Sequence, residues 1–277
     1  MAIEPPHSGS PAWPSAHAWQ DLACWRVLNT QFEQGRQFFE CWQAWRADPQ
    51  RSRLLHYVAF TQVPPNADAL SGVAGIDPAL AHELATQWFG LLPGFHRFLL
   101  DQGQIILTLC VGDALDLLRQ QKFAADAVAL HVSNAEPVSL WTIKALARCC
   151  RRGSQLTALA QNAQVLAELS RPLTQCGFEI QSPTALETSQ QTVTLEASFN
   201  PRWSLMNTRQ NTVETPLPVD TCAVIGAGLA GASIASALAR RGWQVTVLDQ
   251  AEAPAAGASG LPVGLVVPHI SADDCAL

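Results

Sequence analysis

The 277-residue chain has few long apolar runs, and this excludes one class of protein at once. No run approaches the roughly 20 consecutive apolar residues that a membrane-spanning helix needs. The first residues, MAIEPPHSGSPAWPSAHAW, also lack a basic segment followed by an apolar one, which a secretory signal requires. We therefore expect a cytoplasmic protein with no membrane association.

Cysteine is present, but not in the patterns that bind metal or form a disulfide framework. The eight cysteines are scattered apart from the adjacent pair Cys149-Cys150, and none lies in a C-x-x-C motif. Such spacing is typical of reduced, mostly buried thiols. We expect neither a metal site nor disulfides.

Lysine is scarce, and the net charge is −6. A protein that binds nucleic acid through its charge needs a basic surface, so the balance disfavours purely electrostatic RNA binding by this chain. Three arginines, Arg148, Arg151 and Arg152, cluster at the end of a predicted helix. We interpret them as cations that complement the helix dipole rather than as an RNA site.

The chain divides into parts by its hydrophobic pattern. Residues 1–20 are expected to be disordered, and residues 21–197 alternate between short apolar runs and helical periodicity. This alternation predicts an α/β domain with a mostly parallel, helix-covered sheet. Predicted strands are 54–60, 105–111, 127–130, 156–159, 178–180 and 192–196, and predicted helices are 78–89, 114–121, 140–152 and 163–175. Residues 198–218, rich in proline and polar residues, predict a linker, and a second unit covers 219–277.

The second unit opens with a glycine-rich motif. A strand from Thr221 leads into Gly226-Ala227-Gly228-Leu229-Ala230-Gly231, and an alanine-rich helix continues to Arg241. Gly242 ends that helix, and a second strand, 244–248, ends at Asp249. This arrangement predicts a dinucleotide-binding β-α-β unit.

Each part of the motif has a physical reason. Gly226 permits a tight turn, Gly228 lets the backbone approach a pyrophosphate, and Gly231 lets the helix lie close to the sheet. The helix N-terminus would bind the pyrophosphate, and Asp249 would accept hydrogen bonds from ribose hydroxyls. The acid also disfavours NADP, but the motif alone leaves NAD and FAD open.

A resemblance favours FAD. The segments Gly257-Ala258-Ser259-Gly260 and 263–269 resemble amine-oxidising flavoproteins related to D-amino-acid oxidases. More narrowly, they resemble the FAD domain of the bifunctional tRNA 5-methylaminomethyl-2-thiouridine biosynthesis family, although Leu261 replaces its usual asparagine. The resemblance implies FAD as the cofactor. Ser259 would reach a phosphate or the flavin, or would instead cap a short helix.

The first domain resembles the methyltransferase domain of the same family. The matching segments are Leu54–Phe60, Leu91–Arg97, 107–114 and 126–141. The fold that the resemblance implies is a Rossmann-like methyltransferase domain followed by a truncated Rossmann-type FAD-binding β-α-β unit. S-adenosylmethionine would be the cofactor of the first domain.

The departures from that family fall on its chemistry. Gln31 and Glu33 replace glycines of the cofactor-binding turn, where a Cβ should clash or force a different turn. Thr61 replaces the acid that would bind the ribose, and His131 stands where the family has a catalytic aspartate. We therefore hypothesise that this domain binds S-adenosylmethionine poorly or not at all.

Two polar residues at that site have alternative interpretations. Asp113 is retained and would approach the adenine, but an aspartate before a helix is equally a common N-cap. His131 could act as a general base, but a structural or exposed role is favoured.

The function implied by the resemblance is tRNA wobble-uridine modification, with tRNA as the partner. The flavin domain would oxidatively remove the carboxymethyl group from carboxymethylaminomethyl-(2-thio)uridine. Two alternatives remain: a noncatalytic module that docks tRNA or another domain, and an FAD-dependent amine or amino-acid oxidase unrelated to RNA. The family's flavin domain is several times longer than residues 219–277. We expect that this chain alone is not an active oxidase and that its last fifty residues are poorly ordered or prone to aggregation. The oligomeric state and the flavin-proximal catalytic residues are left open.

Overall fold

A computed structural model describes residues 18–20, 22–133, 138–181, 193–203 and 219–264. The chain forms two compact units, Met1–Leu217 and Pro218–Leu277. None of the helices in the described ranges is long and apolar enough to cross a membrane.

The first unit is built on an eight-stranded sheet of order β3-β4-β2-β1-β5-β6-β8-β7. The five strands from β4 to β6 in that order run parallel, while β3 and β8 are antiparallel to their neighbours. The α/β class and the mostly parallel sheet confirm the sequence prediction. The strands are β1 Cys24–Asn29, β2 Leu54–Thr61, β3 Gly94–Leu100, β4 Ile105–Val111, β5 Ala125–Val132, β6 Cys150–Ala160, β7 Phe178–Ile180 and β8 Val193–Phe199.

Helices connect the parallel strands, and polar side chains define where most of them begin. The side chains of Asn66, Asp77, Asp113, Ser139 and Asn162 each accept a hydrogen bond from a backbone N–H in the first turn of the following helix. Such N-caps satisfy donors that have no acceptor within the helix. The helices are α1 Arg36–Ala47, α2 Ala67–Ser71, α3 Pro78–Ala85, α4 Ala114–Gln120, α5 Leu140–Arg148 and α6 Ala163–Gln175.

Apolar clusters cover both faces of this sheet. One cluster, rich in Leu, Val and Ala, includes residues from α4, α5 and α6. The other is aromatic and includes Phe38, Phe39, Trp42 and Trp45 of α1 together with Tyr57 of β2. Burial on both faces explains why the central strands read as continuous apolar runs rather than as alternating ones.

The predicted helix over 140–152 is wrong in its second half. Helix α5 ends at Arg148, and β6 begins at Cys150, so that Arg151 and Arg152 lie in a strand. Gly153, with φ +90°, lies where the pairing of β5 with β6 shifts register, and it marks a bulge rather than a helix stop. The interpretation of the three arginines as a helix cap therefore holds only for Arg148, which lies in the last turn.

The first unit extends beyond residues 21–197 at both ends. Trp19 is 2% exposed, and its indole N–H donates to Asp48. At the other end, β8 includes Ser198 and Phe199. Asn200 then donates its backbone N–H to the carbonyl of Gly177 at 2.9 Å. The segment after β8 therefore packs on the first unit before any linker begins.

The second unit is small. Its strands β9, Thr221–Ile225, and β10, Gln244–Leu248, pair in parallel and are connected by helix α7, Leu229–Ala239. Helix α7 has no buried residue, and apolar side chains of this unit are widely exposed, among them Ile225 at 88% and Leu229 at 73%. A two-stranded unit with one helix leaves apolar faces uncovered.

Candidate functional site

The glycine-rich turn of the second unit follows directly from β9. Gly226 has φ +102°, a conformation that residues with a Cβ rarely adopt, and its N–H donates to Leu248 O at 2.7 Å. A Cβ at Gly231 would lie 1.8 Å from the carbonyl oxygen of Gly226. The first turn of α7 therefore lies directly on the turn, and glycine is required at both positions.

Asp249 closes this turn from the end of β10. One carboxylate oxygen accepts the N–H of Ala227 at 2.6 Å, and the other accepts the N–H of Ala251 at 2.8 Å. These backbone hydrogen bonds lower the pKa of Asp249, so that it is ionised at neutral pH. The carboxylate thus fixes the glycine turn while its remaining lone pairs stay available as acceptors.

Ser259 reaches the same turn from the Gly-Ala-Ser-Gly segment. Its Oγ accepts the N–H of Leu229, the first residue of α7, at 3.0 Å. A Cβ at Gly228 would lie 2.9 Å from that hydroxyl. Ser259 therefore caps α7, thirty residues away, rather than its own one-turn helix.

The candidate FAD residues of the sequence are thus neighbours in space. Gly226, Ala227 and Gly228 form the turn, while Leu229, Ala230 and Gly231 form the first turn of α7. N–H groups in the first turn of a helix have no intrahelical acceptor and lie at the positive end of the helix dipole. The arrangement can therefore bind an anionic group such as a pyrophosphate.

The second candidate site is the carboxyl edge of the large sheet. Strand β1 lies between β2 and β5. The chain adds β2, β4 and β3 on one side of β1 and then β5 and β6 on the other, and such a switch point is where parallel sheets bind ligands. Asn29 and His131 lie near the carboxyl ends of β1 and β5, respectively. This edge therefore contains the positions where the methyltransferase cofactor was expected.

A polar network occupies this edge. The buried Asn29 side chain donates to Gln37 Oε1 at 2.9 Å and to the Tyr57 hydroxyl at 2.8 Å. His131 Nε2 lies 3.0 Å from the same Gln37 oxygen, and its backbone N–H donates to Thr30 Oγ1. Since an amide oxygen only accepts, this contact requires a hydrogen on Nε2 of His131.

Burial has a further effect on His131. Removal of the ring from water lowers its pKa to about 4, so the ring is neutral at pH 7. Its Nε2–H then donates to Gln37 within the network. His131 is therefore a neutral hydrogen-bond donor to Gln37 in this structure.

In the loop between β1 and α1, several backbone N–H groups are bonded to other groups of the protein. The N–H of Gln31 donates to Asn29 Oδ1, that of Phe32 to Phe60 O, and that of Gly35 to Phe32 O. Glu33 adopts φ +51° although it has a Cβ. The loop thus adopts a left-handed conformation at a residue with a Cβ, at a position where glycine was expected.

The other two expected cofactor positions are also engaged locally. Asp113 accepts the N–H of Asp116 at 2.9 Å and caps α4. The hydroxyl of Thr61 donates to Val63 O at 2.8 Å. The geometry of Asp113 is that of the N-cap alternative.

Sequence reasoning missed a buried ion pair at the opposite edge. Asp126 is 2% exposed, accepts the backbone N–H of Arg26 at 2.7 Å and forms an ion pair with Arg151. A charged residue inside an apolar strand was the available signal, because a buried carboxylate requires a partner. No group of three or more His, Cys, Asp or Glu residues in the described ranges could hold a metal ion.

Comparison with known proteins assigns each unit. Residues 221–276 match the family model of FAD-dependent oxidoreductases, and residues 78–196 match that of S-adenosyl-L-methionine-dependent methyltransferases. Over 94% of its length, the chain is 52% identical to the tRNA 5-methylaminomethyl-2-thiouridine biosynthesis bifunctional protein MnmC of Albidiferax ferrireducens. The chain belongs to this bifunctional family.

Other members of the family give the same result. The chain is 45% identical to the MnmC proteins of Delftia acidovorans, over 94% of its length, and of Acidovorax sp., over 93%. It spans 45% of the Albidiferax relative and 40% of each of the other two. The chain thus spans less than half of these relatives, and its two matched segments are similar to methyltransferases and to FAD-dependent oxidoreductases.

Proposed function

We propose that this chain acts in the modification of tRNA wobble uridine, as part of an FAD-dependent oxidoreductase. The reaction would remove the carboxymethyl group from carboxymethylaminomethyl-(2-thio)uridine. The observation that carries the proposal is the glycine turn with its Asp249 closure, in a segment that matches the FAD-dependent oxidoreductase model. The names of the relatives supply the tRNA context.

The residues of the second unit fit the ADP part of FAD. The turn at Gly226 and Gly228 carries no side chain, so its backbone can approach a pyrophosphate. The first turn of α7 supplies N–H donors, one of which, that of Leu229, is already bonded to the Ser259 hydroxyl. Asp249 is held ionised and would accept hydrogen bonds from ribose hydroxyls. Bound flavin would accept a hydride or its equivalent from the substrate carbon beside the nitrogen.

The first unit fits S-adenosylmethionine poorly, and we propose that it does not methylate. In this class of enzyme the loop after the first strand binds the cofactor, but here its Gln31 and Phe32 amides bond to groups of the protein itself. The exposed side chains of Gln31 and Glu33 stand where glycines are expected. His131 is bonded to Gln37 and is neutral at pH 7, so it cannot replace the negative charge of an aspartate.

Nucleoside analysis of tRNA tests both proposals together. Deletion of the gene that encodes this chain should cause carboxymethylaminomethyl-(2-thio)uridine to accumulate. Restoring the gene should convert it to the aminomethyl form without methylation by this protein. An unchanged nucleoside profile would refute the oxidative step, and methylaminomethyluridine formed by the purified protein would refute the loss of methylation.

Calorimetry separates the cofactor question from activity. The chain should show no binding of S-adenosylmethionine, while a triple variant, Gln31→Gly, Glu33→Gly and His131→Asp, should bind it measurably. Asp113→Asn is the control for the capping alternative. It removes the negative charge of Asp113 but keeps the N-cap of α4, since asparagine caps a helix as well as aspartate does. Tight binding by the natural sequence would contradict the proposal.

A further inference from the structure

Strand β3 forms one edge of the large sheet, and an apolar patch lies at its beginning. Phe89 is 77% exposed, Leu92 72% and Phe95 46%. Gly94 pairs with Val111, the last residue of β4, so β3 begins at the carboxyl edge of the sheet. We call Phe95 and Arg97, which lie on the same face of β3, the β3 patch.

The core does not require these side chains. Along β3, Phe98 and Leu100 are buried in the aromatic cluster, while Phe95 and Arg97 are exposed. Residues two positions apart on a strand lie on the same face, so Phe95 and Arg97 are neighbours. The patch therefore presents an aromatic ring and a cation side by side.

The cation has no carboxylate partner in the described part of the chain. Arg97 takes part in none of the ion pairs found there, although arginines elsewhere, such as Arg151 and Arg119, are paired. Burial lowers the pKa of His56, and the charges of Arg97 and Arg26 lower it further. Arg97 is thus a cation without an ion-pair partner among the described residues of a chain whose net charge is −6.

An aromatic ring beside an unpaired guanidinium matches single-stranded RNA. Unpaired bases stack on aromatic rings, and arginine binds the phosphates between them. Phe95 pairs with Cys110, next to the last residue of β4, so its ring lies near the carboxyl edge of the sheet.

We propose that the β3 patch binds a single-stranded segment of the RNA substrate, with a base stacked on Phe95 and a phosphate bound by Arg97. The proposal rests on the proposed function in tRNA modification, and it assigns RNA contact to residues outside both cofactor sites. One cation contributes one phosphate contact, so binding should depend only weakly on salt. For single strands the expected slope of log K against log salt is about −0.7 per phosphate.

Fluorescence anisotropy with the full chain and a labelled short oligouridylate tests the proposal. Phe95→Ala should weaken binding by about tenfold, in the range that base stacking contributes. Arg97→Gln should weaken it and reduce the salt slope by about 0.7. Annealing the oligonucleotide to its complement should abolish most of the binding, because a duplex offers no free base faces.

Two variants control for general effects of losing an aromatic or a cation. Trp141, 62% exposed and beside Lys144 on α5, is replaced in Trp141→Ala, and the exposed Arg148 is replaced in Arg148→Gln. Both should bind the oligonucleotide as the natural sequence does. Thermal unfolding of all four variants verifies that each is folded.

Several outcomes would overturn the proposal. These are full binding by Phe95→Ala, equal binding of single strand and duplex, or equal loss in Trp141→Ala. Sedimentation that shows a dimer dispersed by Phe95→Ala would identify the patch as a protein interface instead. If oligonucleotide binding is unaffected by the patch variants but gene deletion changes the tRNA nucleosides, the patch fails and the proposed function stands. If the patch variants lose oligonucleotide binding but gene deletion leaves the tRNA nucleosides unchanged, the proposed function fails and the patch stands.

Discussion

Glu33 is a residue with a Cβ in a left-handed conformation, at a position where the resemblance predicts glycine. It holds φ +51° in an exposed loop, a conformation that costs a residue with a Cβ free energy of about 1 kcal/mol or more. Glu33→Gly should therefore raise the free energy of unfolding by about 1 kcal/mol. Denaturant titration measures this directly.

The adjacent residue supplies the control. Gln34 is also exposed but does not have positive φ, so Gln34→Gly should lower the free energy of unfolding by about 0.5–1 kcal/mol. Equal effects of the two substitutions would show that Glu33 is not strained.

The buried histidines predict how stability depends on pH. Burial lowers the pKa of both His56 and His131 from 6.5 to about 4 in the folded chain. Between these values the unfolded chain binds more protons, so stability is full above pH 6.5 and falls as pH decreases toward 4. His131→Asn should make this decline less steep, as measured by the melting temperature at a series of pH values. His82→Asn, at an exposed position on α3, should leave the decline unchanged.

At the scale of elements, β6 depends on an ion pair that links it to β5. Arg151 pairs with the buried Asp126, and the Ser154 hydroxyl bonds to Ala125 O across the bulge. Arg151→Gln should destabilise the protein by about 3 kcal/mol, because it leaves the Asp126 carboxylate buried without its cation. Arg148→Gln, in the exposed last turn of α5, should change stability by no more than about 0.5 kcal/mol. Similar losses in both variants would show that the pair does not stabilise β6.

These elements also show how far the sequence predicts the fold. The apolar runs of β2, β4 and β5 and the glycine-terminated α6 follow from period, propensity and caps. Helix α5 was extended too far because Cys149-Cys150-Arg151-Arg152 suits a helix locally, whereas pairing with β5 makes it a strand. Strand β3 was missed because it has buried and exposed residues rather than a continuous apolar run. It also pairs antiparallel with β4, at the edge of a mostly parallel sheet. Long-range pairing, which local sequence does not contain, decided both cases.

The same distinction holds for the candidate sites. The glycine turn was predictable because close backbone approach requires glycine at Gly226 and Gly231 whatever the surroundings. The contacts of Asp249 with Ala227 and of Ser259 with Leu229 join residues 22 and 30 positions apart. The sequence identified these residues, but it did not predict that they bond to the turn itself. The Asn29–Gln37–His131 network was missed because it depends on which strands are neighbours in the sheet.

At the scale of the whole molecule, the two units differ in how much they bury. The first has clusters on both faces of its sheet, whereas the second exposes Ile225, Leu229, Ile234 and Leu248 by more than half of their surfaces. A domain is stable through its own buried core, so the first unit should account for the cooperative unfolding of the chain. The second unit should exchange its amide hydrogens much faster than the first.

Gly231→Val tests this independence, because its side chain would overlap the carbonyl of Gly226, only 1.8 Å from the Cβ position. We expect hydrogen exchange over 221–248 to accelerate further, while the main calorimetric transition keeps its melting temperature. Ala232→Val, one residue along the same helix at an exposed position, adds the same side chain without this overlap and should leave exchange over 221–248 nearly unchanged. A fall in the main melting temperature with Gly231→Val alone would mean that the second unit stabilises the first. In that event the units would unfold as one, and the glycine turn would contribute to the stability of the methyltransferase-like domain.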